Sequence, residues 1–300
     1  MSWNSKKPMK TIECLECVDS EALSEANRNT LCLDRIRAAD LGRGALQAIR
    51  KGSYRLPGGT LVDWSDAVAA CRAATRSLPP DAGLPTPSSG KVIGVTRVQV
   101  ANQTTLVAAQ QLHRIGCRPL ALNFANGVLP GGGFLIGARA QEEVLCRSSA
   151  LHATLENDAM YAAHRCRPLP DSSDWVVLSP RVPVFRDDAG STVPWWPLDI
   201  ATCAAPYAPG VGAQRSAQRL AQRIERLLAV ASSFGYRSLV LGAWGCGAFG
   251  NDPLNTARSF RAALEGRSAG VFEEVVFAIT DWSAERRYLG PFRDTFTQPR

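Results

Sequence analysis

A glycine-rich stretch decides the fold that the sequence predicts: NFANGVLPGGGFLIGARAQEE, residues 123–143. An apolar run precedes the loop at residues 120–124, and a helical pattern follows it over residues 139–155. The order of strand, loop and helix is typical of a βα unit. Consecutive glycines lose much conformational entropy when they are ordered. A loop that carries three of them, at 131–133, needs its backbone to approach another group closely.

A second glycine-rich loop, GCGAFG, follows the apolar run at residues 238–243. Glycines let backbone N–H groups turn towards a ligand, and the N-terminus of the next helix adds a partial positive charge. Pro253 suits the first position of that helix, and Asn251 or Asp252 suits its N-cap. The loop is therefore predicted to bind phosphate through six residues: Gly245, Cys246, Gly247, Ala248, Phe249 and Gly250.

This second loop also matches G-x-G-x-x-G, the fingerprint of dinucleotide-binding domains. That fingerprint belongs to a first βαβ unit, with an acidic residue about 20 positions further on. Here the match lies about 50 residues before the C-terminus, and the next predicted strand ends near Asp281. A nicotinamide-dependent dehydrogenase is therefore disfavoured.

Strand-like and helix-like segments alternate along the chain. Predicted strands cover residues 92–100, 120–124, 175–178, 200–204, 238–243 and 271–279. Predicted helices cover residues 31–51, 61–77, 104–115, 139–155, 211–234 and 253–264. This alternation predicts an α/β fold with a largely parallel sheet, whose ligands bind beyond the carboxyl ends of the strands. Residues 1–30 are predicted to be an N-terminal extension of uncertain structure, and residues 79–90 a Pro/Gly/Ser-rich loop.

Composition excludes several classes of protein. The 300 residues are 45% hydrophobic and 20% charged, as in ordinary globular domains. The net charge is +7 and 29 of the 34 basic residues are Arg, whose planar group suits phosphate, although most are expected to solvate helix faces. Nine scattered cysteines without a second C-x-x-C favour a reducing compartment and no metal site. The sequence shows no signal peptide and no membrane span, so a cytoplasmic protein is expected.

Two adjacent carboxylates, Glu142 and Glu143, fall in the first turn of the helix predicted after the triple glycine. Neighbours on a helix lie about 100° apart, so the two side chains cannot both point at one atom. Carboxylates in a first turn also stabilise the helix dipole without any further role. Spacing alone therefore leaves catalysis and helix stabilisation open.

Together, the motifs resemble those of the microbial-type poly(ADP-ribose) glycohydrolases. The motifs are GGG followed after seven residues by QEE, NFA before PGGG, SPRVPVFRDD at 179–188 and LGAWGCGAFGNDP at 241–253, in order over residues 34–290. The catalytic domain of that family is a macrodomain. The resemblance implies a three-layer α/β/α sandwich around a mixed, largely parallel sheet, with an N-terminal helical extension. The domain is expected to span residues 31–300.

The resemblance also assigns catalytic roles. It implies that Glu143 is the catalytic acid and base and that Glu142 helps to hold the ribose hydroxyls. Ordinary glycosidases place two carboxylates on opposite sides of the scissile bond. Adjacent residues of one helix cannot do so, and a single carboxyl must therefore act first as acid and then as base.

The remaining implied contacts are with ADP-ribose. Phe249 is expected to pack on the ligand and Asn126 to contact the ribose, although bacterial members have a small residue at position 126 and an Asn where this chain has Leu129. The other residues expected to bind substrate are Gly131, Gly132, Gly133, Phe134 and Gln141, together with the rest of the second glycine-rich loop.

The expected reaction is hydrolysis of the ribose–ribose bonds of poly(ADP-ribose) from the chain terminus, with release of ADP-ribose. Neither a cofactor, a metal, a membrane nor a stable protein partner is expected. Two alternatives stay open: a hydrolase of mono-ADP-ribosylated protein or nucleic acid, and a non-catalytic ADP-ribose-binding module.

Two interpretations also stay open for each of three features. Cys246 is either an activated thiol at a helix start or a small tolerated side chain. Trp195 and Trp196 either stack on the ligand or pack as structural residues. Asp187 and Asp188 form either the adenine end of the site or a solvated turn.

Overall fold

A computed structural model describes residues 11–86 and 94–297. Its ten strands are β1 Ile12–Cys14, β2 Ser53–Arg55, β3 Leu61–Asp63, β4 Arg76–Leu78, β5 Thr96–Ala101, β6 Pro119–Ala125, β7 Val176–Arg186, β8 Thr192–Ala204, β9 Ser238–Leu241 and β10 Glu274–Ala278. Eight of them form one sheet in the order β1-β5-β10-β9-β6-β8-β7-β4, and β2 pairs with β3 in a separate hairpin. In the main sheet the strands from β1 to β8 are parallel, and β7 runs antiparallel to both of its neighbours, β8 and β4.

Helices cover both faces of this sheet. They are α1 Glu21–Leu31, α2 Arg35–Lys51, α3 Ser65–Ala74, α4 Thr105–Arg114, α5 Gln141–Ser148, α6 His152–Leu155, α7 Ala159–Arg165, α8 Ala208–Val211, α9 Ala213–Ser233, α10 Pro253–Glu265 and α11 Leu289–Thr297, with a 3-10 turn at Phe134–Ile136. None of the helices in the described part of the chain has the length and hydropathy of a membrane span.

Alternation along the central strands divides the core in two. In β9, Leu239 and Leu241 pack on one face with side chains of α9, α10 and α11, whereas Val240 packs on the other face with side chains of α2, α4 and α5. In β10, Phe277 and Val276 divide in the same way. Successive side chains of a strand point to opposite faces, and a buried central strand is therefore apolar throughout. These layers confirm the predicted α/β/α sandwich.

The pairing of β6 with β9 determines where the two glycine-rich loops lie. The two strands are parallel, with Ala121 opposite Val240. The triple-glycine loop follows β6 and the GCGAFG loop follows β9. Both loops therefore emerge side by side at the carboxyl edge of the sheet, where ligands bind in folds of this kind.

Several predicted boundaries are wrong. Residues 61–77 are not one helix, because β3, α3 and β4 divide them. The helix predicted over residues 139–155 breaks into α5 and α6 at Ser149, which bridges to Val184 of β7. The strands predicted at residues 175–178 and 200–204 are longer and form the antiparallel hairpin β7–β8. Prolines inside both strands, including the facing pair Pro183 and Pro197, hide their length from a propensity argument.

The N-terminal segment joins the main sheet from residue 11 onwards. Strand β1 pairs with β5, and the buried side chain of Asn102 donates hydrogen bonds to Asp19, Ser24 and the carbonyl of Asp281. A three-residue strand is too short for its pattern to be recognised in the sequence. Residues 1–10 and 298–300, and the predicted loop and strand over residues 87–93, lie outside the described residues.

Candidate active site

The triple-glycine loop closes over the two carboxylates at the start of α5. Gly131 and Gly132 have φ angles of +72° and +55°, in the left-handed region that favours glycine. A Cβ atom on Gly132 would lie 2.4 Å from Oε1 of Glu143 and 2.9 Å from Oε2 of Glu142. The close approach at Gly132 is therefore an approach to the protein's own acid pair, and contacts of Gly131, Gly132 and Gly133 with substrate stay a prediction.

Glu142 is held inside the protein with only 3% of its surface exposed. Its Oε2 accepts a 2.7 Å hydrogen bond from the amide of Asn126, and its Oε1 lies 3.4 Å from Nδ2 of Asn123. Burial raises the pKa of Glu142 to about 8; the neighbouring charge of Glu143 adds to this shift, and the hydrogen bond from Asn126 opposes it. Glu142 is therefore mostly protonated at neutral pH.

Glu143 is 7% exposed, and its two oxygens have different surroundings. The amide of Gly133 donates a 3.0 Å hydrogen bond to Oε1. The other oxygen, Oε2, is buried and has no hydrogen-bond partner among the described residues. A buried oxygen without a partner costs about 1–3 kcal/mol, and a ligand hydroxyl that reaches it would recover part of this free energy.

Gln141 fixes the start of α5 to the end of β6. Its Oε1 accepts from the amide of Phe124, and its Nε2 donates to the carbonyl of Leu122 and to Oγ1 of Thr105. Both ends of the side-chain amide are thus engaged within the protein. This geometry supports a positioning role, and a direct contact of Gln141 with substrate stays a prediction.

Two asparagines support the acid pair, and only Asn126 was predicted from the sequence. The side chain of Asn126 accepts hydrogen bonds from the amides of Val128 and Leu129 and so closes the turn after β6. Asn123 is fully buried in β6 and contacts both Glu142 and Thr202. Asn123 is the one polar residue in the apolar strand β6. Because buried polar groups need hydrogen-bond partners, this position could have been recognised in the sequence as part of a polar site.

The prediction that Phe134 contacts the substrate is not supported for its side chain. The ring is buried in the core and packs against His152, with 5.0 Å between ring centroids. A Cβ atom on Gly131 would lie 2.9 Å from this ring. The ring of Phe134 therefore packs against the triple-glycine loop from the core side and does not line the cavity described below.

The second glycine-rich loop has the form that the sequence predicts. Asp252 caps α10 by accepting from the amide of Asn255, and Pro253 is the first residue of the helix. No described group accepts a hydrogen bond from the amides of three consecutive loop residues: Gly247, Ala248 and Phe249. The ring of Phe249 is half-buried and packs edge-on against Tyr207. These free amides beside a helix N-terminus are suited to bind an anion.

Cys246 is not an activated thiol. Its Sγ lies 3.5 Å from Oγ1 of Thr256, and burial raises its pKa to about 12. A thiol with that pKa stays protonated at neutral pH and is a poor nucleophile. The side chain is a small buried one, turned away from solvent.

A cavity of about 420 Å³ lies between the first turn of α5 and the second loop. Gln141 and Gly247 line it on these two sides, and Glu142 and Glu143 lie next to it, under the triple-glycine loop. The rest of the wall is mostly apolar and includes Phe124, Ile279, Trp282 and Tyr288. Its volume is within the range of small-molecule sites. A larger groove of about 890 Å³ lies between α9 and α10, but none of its described lining residues belongs to either loop.

Comparison with known proteins agrees with this geometry. A family model for the catalytic domain of microbial-type poly(ADP-ribose) glycohydrolase matches residues 43–187. The X-ray structure of poly(ADP-ribose) glycohydrolase from Thermomonospora curvata is 36% identical, with a TM-score of 0.80, over 87% of this chain and 100% of that chain. The chain belongs to the microbial-type poly(ADP-ribose) glycohydrolase family.

Two ligand-bound members of the family are also similar. The Thermomonospora curvata enzyme bound to the inhibitor ADP-HPD is 38% identical, with a TM-score of 0.79, over 87% of this chain and 99% of that chain. The Deinococcus radiodurans enzyme in complex with ADP-ribose is 38% identical, with a TM-score of 0.69, over 81% of this chain and 98% of that chain. No curated protein matches the chain.

A buried cation lies four residues after Glu143 in this glycohydrolase. Arg147 is 1% exposed, and no described residue accepts a hydrogen bond from its guanidinium nitrogens. Burial lowers its pKa, and the charges of Asp188 and Glu143 oppose that shift. Arg147 was not predicted from the sequence, because an Arg on a helix is most often a solvated side chain.

The contacts distinguish the two interpretations of the aspartate pair and of the tryptophan pair. Asp188 is buried, accepts a 2.6 Å hydrogen bond from Thr104 and lines the cavity, so it is not in a solvated turn. Asp187 instead accepts from the amide of Ser191 and closes the β7–β8 turn. Trp196 is buried and stacks on His113, and Trp195 packs against the same core. The structural interpretation of the tryptophans is the one that the contacts support.

Proposed function

We propose that this protein hydrolyses the ribose–ribose O-glycosidic bonds of poly(ADP-ribose) and releases ADP-ribose. The observation that carries the proposal is the acid pair of Glu142 and Glu143 under a triple-glycine loop, beside a second loop with free amides. Binding alone needs no positioned carboxylic acid, and this disfavours a non-catalytic ADP-ribose reader. The related Deinococcus radiodurans structure, which holds ADP-ribose, supports the choice of ligand.

In the proposed reaction, one carboxyl serves both steps. Glu143 gives a proton to the bridging oxygen, and the bond from that oxygen to the anomeric carbon breaks as positive charge develops on the sugar. The shortened polymer leaves with a new ribose hydroxyl. Water then attacks the anomeric carbon and gives a proton back to Glu143, which completes the cycle without a cofactor.

Glu142 is proposed to remain neutral during this cycle at pH 7. Because the pKa of Glu142 is about 8, the pair carries one negative charge and not two once Glu143 has given its proton to the bridging oxygen. The amide of Asn126 fixes one oxygen of Glu142, and the other is turned towards Asn123. This anchored carboxyl is suited to bind ribose hydroxyls.

For Glu143 to reach the sugar, the triple-glycine loop has to move away from its carboxyl group. Its Oε1 is bonded to the amide of Gly133, and Gly132 lies against it. Glycine has no side chain and tolerates several backbone conformations, so a small shift of this loop uncovers the carboxyl at little cost.

The rest of the nucleotide is proposed to lie between the two loops and the cavity. The free amides of Gly247, Ala248 and Phe249 bind the diphosphate, aided by the N-terminus of α10. The apolar and aromatic wall formed by Ile279 and Trp282 takes the adenine.

We assign cleavage to the chain terminus because the end of α1 closes one side of this cavity. Leu31 and Cys32 line it, and Arg139, which also lines the cavity, donates a hydrogen bond to the carbonyl of Leu33. An internal unit has a further sugar attached to its adenosine ribose, and this closed side leaves little room for it. A cytoplasmic location is also proposed, supported by nine free cysteines.

The test is to incubate the purified protein with poly(ADP-ribose), mono-ADP-ribosylated protein and mono-ADP-ribosylated DNA, and to measure released ADP-ribose. Release from the polymer, absent in Glu143→Gln, is the expected result. Release only from a mono-ADP-ribosylated substrate would move the assignment to that class. ADP-ribose binding without release from any substrate would make the protein a reader.

A further inference from the structure

The turn between β6 and the triple glycine presents two apolar side chains to solvent. Val128 is 46% exposed and Leu129 is 52% exposed. Their backbone, however, is fixed: Asn126 accepts from both amides, and the carbonyl of Val128 accepts a 2.9 Å hydrogen bond from Arg165. Because this backbone is already ordered, little further entropy is lost when an apolar group packs on the two side chains.

This turn lies directly beside the catalytic acid. The carbonyl of Leu129 accepts a 3.0 Å hydrogen bond from the amide of Gly132. The Cβ position of Gly132 is in turn 2.4 Å from Oε1 of Glu143. Leu129 is therefore separated from the reacting carboxyl by a single hydrogen-bonded turn.

The chemistry of the polymer determines what arrives at this position. The oxygen that Glu143 protonates belongs to the ribose of the next nucleotide unit, and that ribose carries an adenine on the adjoining carbon. The adenine and diphosphate of the leaving unit therefore emerge close to the acid, outside the pocket that holds the cleaved ADP-ribose. An adenine face gains free energy by contact with apolar side chains.

Arg165 supplies a matching charge at the edge of the same turn. It is exposed, and no described carboxylate lies within 4.0 Å of it. Its Nη1 is bonded to the carbonyl of Val128, so the guanidinium is held next to the apolar pair. Arginine is well suited to phosphate because its planar group donates several hydrogen bonds.

We infer that Val128, Leu129 and Arg165 form a leaving-unit subsite, in which the apolar pair contacts the adenine of the departing nucleotide and Arg165 contacts its diphosphate. The inference rests on the proposed function and deepens it. It predicts a preference for poly(ADP-ribose) over substrates in which ADP-ribose is attached to a group that is not a nucleotide.

The experiment compares two substrates that share the same bond type. One is poly(ADP-ribose), and the other is the O-methyl glycoside of ADP-ribose, whose leaving alcohol has neither adenine nor phosphate. The variants are Val128→Ser/Leu129→Ser and Arg165→Gln. Ile115→Ser is the matched control, because Ile115 is 71% exposed and lies at the C-cap of α4, at the opposite edge of the sheet. Thermal unfolding checks that each variant is folded.

For the double variant, kcat/KM on the polymer is expected to fall about tenfold, and for Arg165→Gln about threefold, with both unchanged on the methyl glycoside. Ile115→Ser is expected to match the wild type on both substrates. An equal loss on the two substrates, or no loss on the polymer, would overturn the subsite. A wild-type protein that cleaves neither substrate would overturn the proposed function itself, a result distinct from either of these.

Discussion

The two glycine-rich loops of this protein use glycine for different reasons. In the first loop, a side chain on Gly132 would collide with the two carboxylates that the loop covers. In the second loop, an added Cβ on Gly247 meets nothing within 4 Å, and the amide of Gly247 has no acceptor among the described residues. Gly132 is therefore required by groups inside the protein, whereas Gly247 is open to a ligand. Gly245 of the second loop resembles Gly132 in this respect, because a Cβ there would lie 2.7 Å from Cβ of Ala205. A glycine-rich sequence therefore does not show whether the absent side chain makes room for the protein's own groups or for a ligand.

Among changes in the two loops, the largest effect is expected from Gly132→Ala. The new methyl carbon would lie 2.4 Å from Oε1 of Glu143, so the carboxylate would have to move. A backbone φ of +55° is also strained for alanine. A misplaced acid is expected to lower kcat/KM on poly(ADP-ribose) by about a thousandfold. Steady-state release of ADP-ribose measures the loss.

Gly247→Ala is the matching change in the other loop. Its methyl group meets no protein atom within 4 Å, but Gly247 lines the cavity in which the nucleotide is proposed to bind. A loss of up to about tenfold in kcat/KM is expected, through a raised KM, because the methyl group narrows the ligand site without moving the acid. Equal losses in the two variants would contradict the difference drawn between the loops.

A smaller effect is expected when Glu142 is replaced by Gln. The pKa of Glu142 is raised from 4.5 to about 8 in the folded protein, so its contribution to stability is complete below pH 4.5 and is lost as the pH rises to 8. Gln keeps the neutral form at every pH. The stability of the wild type relative to Glu142→Gln is therefore expected to fall by about 3 kcal/mol between pH 5 and pH 8. Urea unfolding at the two pH values measures this difference.

Glu25→Gln, on the exposed side of α1, controls for the change from Glu to Gln. It is expected to unfold in parallel with the wild type at both pH values. If the unfolding free energies of Glu142→Gln and the wild type change equally between pH 5 and pH 8, Glu142 does not hold a proton in the folded protein.

The smallest effect is expected at Cys246, although it lies within the second loop. Its thiol has a pKa of about 12 and is turned towards Thr256. Cys246→Ala is expected to change kcat/KM by less than about twofold. Iodoacetamide at pH 7 is expected to label the exposed Cys166 and to leave Cys246 unlabelled, as peptide mass spectrometry would show. Rapid labelling of Cys246 would mean that its side chain faces the cleft.

Local patterns predict the layered fold and the place of the loops. The buried strand β9, the proline at the start of α10 and its Asp252 cap follow from residues that are neighbours in the chain. The position of the acid pair at the start of α5 is likewise visible as QEE. These features depend on short-range periodicity and capping, which a single sequence records well.

Features that depend on distant residues were not predicted. Two sets of hydrogen bonds join elements that are far apart in the chain: those from Gln141 to Leu122 and Thr105, and the buried one from Asn123 to Thr202. The isolated cation of Arg147 is visible only once α5 packs into the core. The sequence records which groups are polar but not which of them are buried.

The most direct test of the proposed chemistry is the effect of Glu143→Gln on turnover and on ligand binding, measured on the same protein preparation. Because the amide cannot give or take the proton, ADP-ribose release from poly(ADP-ribose) is expected to fall by about a thousandfold or more. Binding of ADP-ribose by calorimetry is expected to stay within about tenfold, because the cavity and the second loop are unchanged. A variant that cleaves the polymer at the wild-type rate would contradict the assignment of Glu143 as the acid.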